Sequence, residues 1–125
     1  MVRKRCEEYL EAIYGMIVSG ENPGIRKLAR VLGVKPSSVV EYLRKMCEQG
    51  YIIYEQGGKI NLTARGFKIA QEICRRHKLI KDFLIEIGVP EEIAEKDACY
   101  IEHGIHEVTL AKLEEFLEKK FLRTK

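Results

Sequence analysis

The sequence lacks a long hydrophobic run, and this absence argues against a membrane-spanning protein. None of its 125 residues lies in an apolar stretch approaching the roughly 20 residues that an α-helix needs to span a bilayer. The basic residues 1–5 are followed directly by Cys6-Glu7-Glu8 rather than by the apolar segment of a signal peptide. We therefore expect a cytoplasmic protein that has no membrane partner.

The sequence also lacks any Cys-x-x-Cys pair, although it contains four cysteines. Their wide scatter argues against a structural zinc ribbon and against a redox dithiol motif. A disulfide framework is not expected in a cytosolic chain that has 46% hydrophobic residues and can bury a core. We expect Cys6, Cys47 and Cys74 to be buried thiols.

Charge is distributed unevenly along the chain, although the formal net charge is only +3. Residues 1–70 contain twelve Lys and Arg against seven Asp and Glu, whereas residues 71–125 contain ten against twelve. The excess of positive charge in the first half suits contact with phosphate groups and supports a nucleic-acid partner. There is no internal repeat or low-complexity segment, so this length indicates one compact unit or two small lobes.

The first half of the chain has the pattern of three helices followed by a β-hairpin. Apolar residues at helical spacing predict helices over 3–18, 25–32 and 36–49. Two short runs rich in isoleucine and tyrosine predict strands over 51–54 and 59–62. The segment between them contains two glycines, which can adopt the positive φ that a hairpin turn requires. This order of elements is typical of a winged helix-turn-helix.

The third predicted helix has the two faces that a DNA-recognition helix needs. Its apolar stripe consists of Val39, Leu43, Met46 and Cys47. The opposite face is small and polar near the helix N-terminus, so it fits the major groove, where such side chains contact base edges. Neighbouring lysines and arginines are placed to contact phosphates, which position the protein without specifying sequence. The candidate DNA-binding residues are Arg26, Lys27, Lys35, Pro36, Ser37, Ser38, Glu41, Tyr42, Arg44, Lys45 and Lys59.

An ordinary helical bundle with a solvated polar face is the alternative for this region. The predicted hairpin argues against the bundle, because a wing is expected directly after the recognition helix. Glu41 is the weakest member of the DNA-binding set, since its carboxylate repels phosphate unless it faces the amino group of cytosine.

The second half of the chain is predicted to be helical throughout. Thr63 is a favourable N-cap for a long helix that ends near Ile87, before a glycine and a proline. Two further helices, over about 90–104 and 107–122, complete the chain.

Three potential metal ligands lie close together in the segment 99–103. Cys99, Glu102 and His103 stand at i, i+3 and i+4, so they share one face of a predicted helix and lie one turn apart. A thiolate, a carboxylate and an imidazole make most of a transition-metal site, and further ligands must come from elsewhere in the chain.

Three other residues are the best candidates for completing this site. Glu8 and Glu11 are one turn apart on the first predicted helix, and His77 is on the long helix. Taken singly, Glu8, Glu11 and His77 each fit a solvated surface position. Cys99 alone fits a core position, so only the combination favours a metal site. His106 fits a surface or helix-start position better than it fits a ligand.

Five segments carry a resemblance to a known family. They are Glu8-Tyr9-Leu10-Glu11-Ala12-Ile13-Tyr14, Pro36-Ser37-Ser38-Val39, Leu62-Thr63-Ala64-Arg65-Gly66, Arg76-His77-Lys78-Leu79 and Asp97-Ala98-Cys99-Tyr100-Ile101-Glu102-His103. In their order and spacing they resemble the diphtheria toxin repressor family, which includes the manganese transport regulators. The resemblance covers nearly the whole chain.

The resemblance implies a metal-activated repressor of metal-uptake genes that is a homodimer and binds a palindromic operator in double-stranded DNA. It implies a mostly α fold, with a winged helix-turn-helix and a small β-hairpin wing over residues 1–63. A C-terminal helical domain for metal binding and dimerisation is expected over residues 64–125, without the SH3-like domain of longer members. The implied metal ligands are Glu8, Glu11, His77, Cys99, Glu102 and His103.

The implied ligand set combines features of two branches of the family. Manganese regulators usually have a carboxylate at the position of Cys99, whereas iron-dependent members have a cysteine there and a methionine at the position of Glu8. A thiolate favours iron(II), cobalt(II), nickel(II) or zinc(II), and carboxylates suit manganese(II). We expect iron(II) in preference to manganese(II), with the other three binding in vitro. An iron-type ancillary site at His77 is not expected, because Lys81 and Glu95 stand at its other two places.

Two other classes of function fit parts of the sequence. A winged-helix regulator that responds to a redox signal or a small molecule through Cys99 needs no metal. An enzyme is disfavoured, because no nucleophile–base pair or phosphate-binding glycine loop accompanies the cluster. Glu11 leaves open whether one metal ion or two bind.

Overall fold

The computed structural model describes residues 4–55 and 57–123, with side chains as far as residue 120. Within these ranges the chain forms six helices and one two-stranded sheet. The elements are α1 (Lys4–Val18), α2 (Ile25–Leu32), α3 (Pro36–Glu48), β1 (Ile52–Tyr54), β2 (Ile60–Leu62), α4 (Ala64–Glu86), α5 (Glu91–Ile101) and α6 (Glu107–Arg123). The predicted order of elements is confirmed, although residue 3 of the first predicted helix lies outside the described residues.

The chain divides into two compact units, Met1–Glu72 and Ile73–Lys125. The first contains α1, α2, α3, the hairpin and the beginning of α4, and the second contains the rest of α4 with α5 and α6. The boundary expected from the sequence, between residues 63 and 64, falls just before α4 and stays a prediction. None of the helices that the structure describes is long and apolar enough to cross a bilayer.

The core of the first unit is built from the apolar faces of its helices and from one face of the hairpin. The predicted stripe on α3 is confirmed, since Val39, Leu43 and Met46 are fully buried. Leu10 and Ile13 of α1 are also fully buried in the same cluster. Burial of each such side chain contributes about 1.5–3 kcal/mol to folding, so this core holds the polar face of α3 outward.

The hairpin pairs β1 with β2 in antiparallel register, with Ile53 opposite Asn61. Each strand begins one residue later than predicted. The backbone N–H of Glu55 donates to the carbonyl of Lys59 at 3.0 Å, and this bond closes the loop. Gly57 and Gly58 have φ values of 95° and 83°, which confirms the expected use of glycine in the turn.

Contacts around Thr63 fix the first turn of α4 within the first unit. Thr63 is the predicted N-cap, since its hydroxyl oxygen accepts a hydrogen bond from the N–H of Gly66 at 3.1 Å. The same hydroxyl donates to the carbonyl of Gly50 at 2.7 Å. The guanidinium of Arg65 lies 4.5 Å from the ring centroid of Tyr51. A side chain at Gly66 would place its Cβ 2.0 Å from the carbonyl oxygen of Tyr51, so only glycine fits here.

The second unit has a smaller core of Ile80, Ala98 and Leu110, one from each of its three helices. The prediction of a helix to residue 104 is wrong by three residues, because α5 ends at Ile101. The N–H of Gly104 donates to the carbonyl of Ile101 at 3.0 Å, so the chain turns there instead of continuing as a helix.

The four cysteines all lie in the described part of the chain, and none forms a disulfide. Cys6 is buried as predicted, whereas Cys47 and Cys74 are only half-buried. Cys99 is exposed, so it is not a core residue.

Candidate metal centre and DNA-binding surface

Four of the six predicted metal ligands meet in the second unit. His77 lies on α4, and its Nδ1 is 3.8 Å from Sγ of Cys99 and 3.5 Å from Oε2 of Glu102. On the other side of the carboxylate, Nε2 of His103 lies 3.6 Å from Oε1 of Glu102. Two imidazoles therefore flank one carboxylate, with a thiol beside the first imidazole.

Glu102 is the residue directly after α5, and it keeps helical backbone angles. The end of the helix therefore positions its side chain. Glu102 has φ −56° and ψ −28°, and its N–H donates to the carbonyl of Ala98 at 3.0 Å. The side chain of Arg76 donates to the carbonyl oxygen of Glu102 at 3.4 Å and forms an ion pair with Glu107. The predicted spacing of the ligands thus holds, although two of them lie in the turn after the helix.

Glu102 is fully buried and is the acidic residue on which the site is centred. Neither oxygen of its carboxylate has a hydrogen-bond partner among the residues that the structure describes. Burying an ionised carboxylate without such partners is costly, and buried charges are normally paired or coordinate a metal. A divalent cation held by these oxygens, an imidazole nitrogen and the sulfur would satisfy the carboxylate, so the residues fit a transition metal.

Two neighbouring carboxylates raise the pKa of the His77 imidazole. The Glu102 carboxylate is the main cause that raises the pKa of His77 to about 9, and a second contact, with Glu95, acts in the same direction. Burial opposes both by disfavouring the charged ring. The imidazole is therefore protonated at neutral pH, and a metal ion would have to displace that proton to bind the ring.

Glu95 lies outside the predicted ligand set but contacts it, and Lys81 in turn contacts Glu95. Oε1 of Glu95 lies 2.9 Å from Nε2 of His77, and Oε2 of the same carboxylate lies 3.0 Å from Nζ of Lys81. Helical spacing could have indicated both residues from the sequence. Lys81 follows His77 by one helical turn, and Glu95 precedes Cys99 by one turn.

Glu8 and Glu11 lie on α1 in the first unit, and both side chains are half-buried. Their membership of the ligand set stays a prediction. His106 is exposed, as expected for a residue that is not a ligand.

Most of the predicted DNA-binding residues lie on the surface of the first unit. The core side of α3 is buried, so its other side presents polar groups from the helix N-terminus onward. Lys35 is the N-cap of this helix and makes no side-chain capping bond. The exposed members are Arg26, Lys35, Pro36, Ser37, Ser38, Glu41, Arg44, Lys45 and Lys59.

Tyr42 and Lys27 differ from the rest of this set. The ring of Tyr42 stacks on Tyr9 with 4.6 Å between centroids, so part of this side chain belongs to the core. Nζ of Lys27 lies 3.6 Å from the carboxylate of Glu21. The sequence predicted Tyr42 on the polar face of the third helix and Lys27 as a further phosphate contact, but it could not show these tertiary contacts.

Family comparisons match both halves of the chain. The family described as "Iron dependent repressor, N-terminal DNA binding domain" matches residues 1–59. The family described as "Iron dependent repressor, metal binding and dimerisation domain" matches residues 63–121. With the fold and the site, these matches define a metal-dependent transcriptional repressor that binds DNA and is not an enzyme. The chain belongs to the iron-dependent repressor family, and the resemblance to the diphtheria toxin repressors is confirmed.

Curated relatives agree with this assignment. An uncharacterised HTH-type transcriptional regulator of Methanocaldococcus jannaschii is 39% identical over 115 residues, which cover 90% of this chain and 92% of the relative. The HTH-type transcriptional regulator MntR of Bacillus subtilis is 36% identical over 105 residues, covering 84% of this chain and 74% of the relative.

Solved structures confirm the mostly α fold with an N-terminal winged helix-turn-helix. A manganese-dependent transcriptional repressor in complex with manganese has a TM-score of 0.82 at 29% identity, covering 90% of this chain and 52% of that chain. IdeR of T. acidophilum has a TM-score of 0.81 at 26% identity, covering 90% and 53%. A hypothetical protein of Sulfolobus solfataricus has a TM-score of 0.71 at 26% identity, covering 94% and 91%. The chain thus spans about half the length of the first two.

Proposed function

We propose that this protein represses metal-uptake genes and that iron(II), in preference to manganese(II), activates its binding to DNA. The observation that carries the proposal is the fully buried carboxylate of Glu102, whose oxygens lack hydrogen bonds and lie between two imidazoles. Without metal this carboxylate has the protonated ring of His77 beside it but accepts no hydrogen bond from the residues that the structure describes, so a divalent cation that displaces the proton would satisfy it better.

The proposed ligand set has two parts with different support. The distances around Glu102 support the members in the second unit, whereas the two glutamates of α1 are supported by their one-turn spacing and by the family resemblance. A bound metal would supply positive charge to this set and displace the proton of His77. The proposed ligands are Glu8, Glu11, His77, Cys99, Glu102 and His103.

The preference for iron(II) rests on the thiol of Cys99, which lies beside the imidazole of His77. A thiolate ligand favours iron(II) over manganese(II), whereas the carboxylates suit either ion. Cobalt(II), nickel(II) and zinc(II) share the affinity for sulfur and are expected to bind in vitro.

The proposed DNA contact uses the exposed polar side of α3 and the basic residues around it. A homodimer presents two recognition helices, so we propose a palindromic operator whose half-sites are one helical turn, or a multiple of one turn, apart. Ser37 and Ser38 are small enough to approach base edges, and the lysines contact phosphates. Binding to chromosomal DNA is consistent with a cytoplasmic location.

DNA-binding measurements under anaerobic conditions test the proposal. Fluorescence anisotropy measures the affinity for DNA taken from upstream of its own gene and of metal-transporter genes, at one fixed salt concentration. Each titration is repeated with iron(II), with manganese(II) and with EDTA. The test variant is Glu102→Gln, and the matched control is Glu92→Gln, which changes an exposed glutamate of α5.

We expect metal to tighten DNA binding by roughly 5–150-fold, which corresponds to a coupling free energy of ~1–3 kcal/mol. Glu102→Gln should lose this response, while Glu92→Gln should keep it. Equal affinity with metal and with EDTA for every fragment contradicts metal control. Half-activation at a lower concentration of manganese(II) than of iron(II) contradicts the preference for iron.

A redox response through Cys99 is the second candidate, because its thiol is exposed and lies 3.8 Å from an imidazole nitrogen. This alternative predicts that a thiol oxidant changes DNA affinity in EDTA, and that Cys99→Ser abolishes the change. Metal control predicts no effect of the oxidant in EDTA.

A further inference from the structure

We propose that Glu95 and Lys81 are positioning residues that hold the His77 ring with Nδ1, and not Nε2, available to the metal. The inference rests on the proposed function, because it assumes that His77 is a ligand. It goes beyond that function by adding two residues to the site and by assigning the coordinating atom of its histidine.

A continuous chain of contacts connects the three side chains. Nε2 of His77 lies 2.9 Å from Oε1 of Glu95, a normal hydrogen-bond distance. Oε2 of Glu95 lies 3.0 Å from Nζ of Lys81, and that ammonium group is also 3.6 Å from Oε1 of Glu91. The lysine thus restrains the carboxylate, and the carboxylate restrains the imidazole.

The opposite edge of the same ring faces the other proposed ligands. Nδ1 of His77 lies 3.5 Å from Oε2 of Glu102 and 3.8 Å from Sγ of Cys99. The two ring nitrogens therefore have separate roles, one toward Glu95 and one toward the metal ligands. A metal-binding histidine commonly donates its second N–H to a carboxylate, which fixes the ring orientation and raises the basicity of the ligand.

Helical spacing explains why these residues meet. His77 and Lys81 are one turn apart on α4, and Glu95 and Cys99 are one turn apart on α5. Each helix therefore contributes one proposed ligand and one positioning residue. The side chain of His77 is 16% exposed, which leaves the ring little freedom to turn once Glu95 holds it.

Glu95 could instead be a metal ligand itself, since ligand atoms of His77, Glu95 and Cys99 lie within 4.8 Å of one another. Two contacts argue for the positioning role. One oxygen of Glu95 is engaged by the imidazole and the other by an ammonium group. A lysine at this distance repels a second cation, so metal is favoured on the Nδ1 side of the ring.

Cobalt(II) binding tests the proposal without any DNA. Affinity is measured by competition with a chelator, and the absorption spectrum of the saturated protein reports the ligands, including the thiolate-to-cobalt charge-transfer band. The variants are Glu95→Ala, Glu95→Gln and Lys81→Met. The matched controls are Glu92→Ala on α5 and Lys78→Met on α4, both at exposed positions.

We expect Glu95→Ala to lower cobalt(II) affinity roughly 10–100-fold, the usual effect of losing a partner of a ligating histidine. Lys81→Met should lower it less, and Glu95→Gln should retain more affinity than Glu95→Ala, because the amide oxygen still accepts from Nε2. The saturated spectrum should stay unchanged in all three, since no ligand is removed. The two controls should bind like the wild type.

Nitrogen NMR of the zinc(II)-loaded protein, with ¹⁵N-labelled histidine, assigns the coordinating atom directly. Signals of His77 are those that His77→Gln lacks. In the wild type we expect a proton on Nε2 and the shift of a metal-bound nitrogen at Nδ1. Coordination through Nε2 overturns the proposal, and Lys81→Met, which leaves the carboxylate–imidazole contact in place, supplies a second measurement if Glu95→Ala does not fold.

The outcomes separate this inference from the proposed function. If the wild type binds no cobalt(II), or if Glu102→Gln binds as tightly as the wild type, both fail. If Glu102→Gln loses affinity and Glu95→Ala does not, only the positioning role fails. If Glu95→Ala alters the saturated spectrum, Glu95 is a ligand and the positioning role is wrong.

Discussion

At the scale of the residue, Glu102 differs from the other acidic residues that the structure describes, because it alone is fully buried. The sequence showed that Glu102 has a carboxylate side chain and that it is spaced from Cys99 and His103 as a metal ligand would be. Its burial was not, since burial depends on how α5 packs against its neighbours. The sequence could therefore indicate the candidate ligands, but it could not show that Glu102 is the one whose burial most strongly favours a bound metal.

Protonation of His77 leads to a prediction about metal binding and pH. Because the pKa of this ring is raised from 6.5 to about 9, the metal-free protein keeps it protonated near pH 7.5. A metal must expel a proton from it, so affinity should rise by up to about tenfold per pH unit as the pH increases toward 9. Calorimetry in two buffers of different ionisation enthalpy measures the protons released. His77→Gln should release about one proton fewer, and an equal number of released protons would contradict this account.

The cysteines lead to a prediction about alkylation. Burial, with a smaller contribution from the charge of Glu7, raises the pKa of Cys6 to about 11, and Arg65 only partly offsets this. Cys6 is then a thiolate in on the order of one molecule in 3,000 at pH 7.5, whereas Cys99 is exposed. Iodoacetamide should modify Cys99 well before Cys6, and saturating zinc(II) should slow the reaction of Cys99. Mass spectrometry after short reaction times measures this, with unfolded protein as the control; equal rates at the two residues in the folded protein would be the contrary result.

At the scale of the element, periodicity predicted the helices and strands well and their ends less well. The third helix and the hairpin appear where apolar spacing and glycines placed them, because both signals are local. The end of α5 was misplaced because the chain turns after Ile101, and in this turn the carbonyl of Glu102 accepts a hydrogen bond from Arg76 on α4. Such a contact joins residues far apart in the sequence and has no periodic signature.

The start of α4 provides a stability prediction. Gly66→Ala should lower the free energy of unfolding by about 1–3 kcal/mol, because the new Cβ would lie 2.0 Å from the carbonyl oxygen of Tyr51. Gly15→Ala on α1 is the matched control, since nothing lies within 4 Å of its Cβ position. It should raise stability by about 0.5–1 kcal/mol through helix propensity. Urea unfolding followed by circular dichroism measures both, and equal effects of the two substitutions would refute the close packing at Gly66.

At the scale of the whole molecule, the two units contain different parts of one regulator. The first contains α3, the proposed recognition helix, with its exposed polar side, and the second holds most of the proposed metal ligands. The second unit also exposes large apolar side chains, among them Tyr100 at 76% and Val108 at 73%. Exposed apolar surface of this kind is typical of an interaction site, in agreement with the dimerisation domain that matches here.

The order of the DNA-binding and metal-binding parts of the molecule was predictable, because the order and spacing of the sequence segments are typical of the family. The charge asymmetry and the hairpin independently indicated DNA binding in the first half. The roles of Glu95 and Lys81 were not predicted, although both residues stand at helical spacing from proposed ligands. Their contacts arise between α4 and α5, and the sequence of either helix alone does not show which residues face each other.

The most direct test of the central claim is the affinity of the protein for iron(II) measured with and without operator DNA. Coupling between two sites is reciprocal, so DNA must tighten metal binding by the same factor by which metal tightens DNA binding. The account predicts roughly 5–150-fold tighter iron(II) binding in the presence of saturating operator, and no such change for Glu102→Gln. An iron(II) affinity that is the same with and without the operator would contradict metal control of DNA binding.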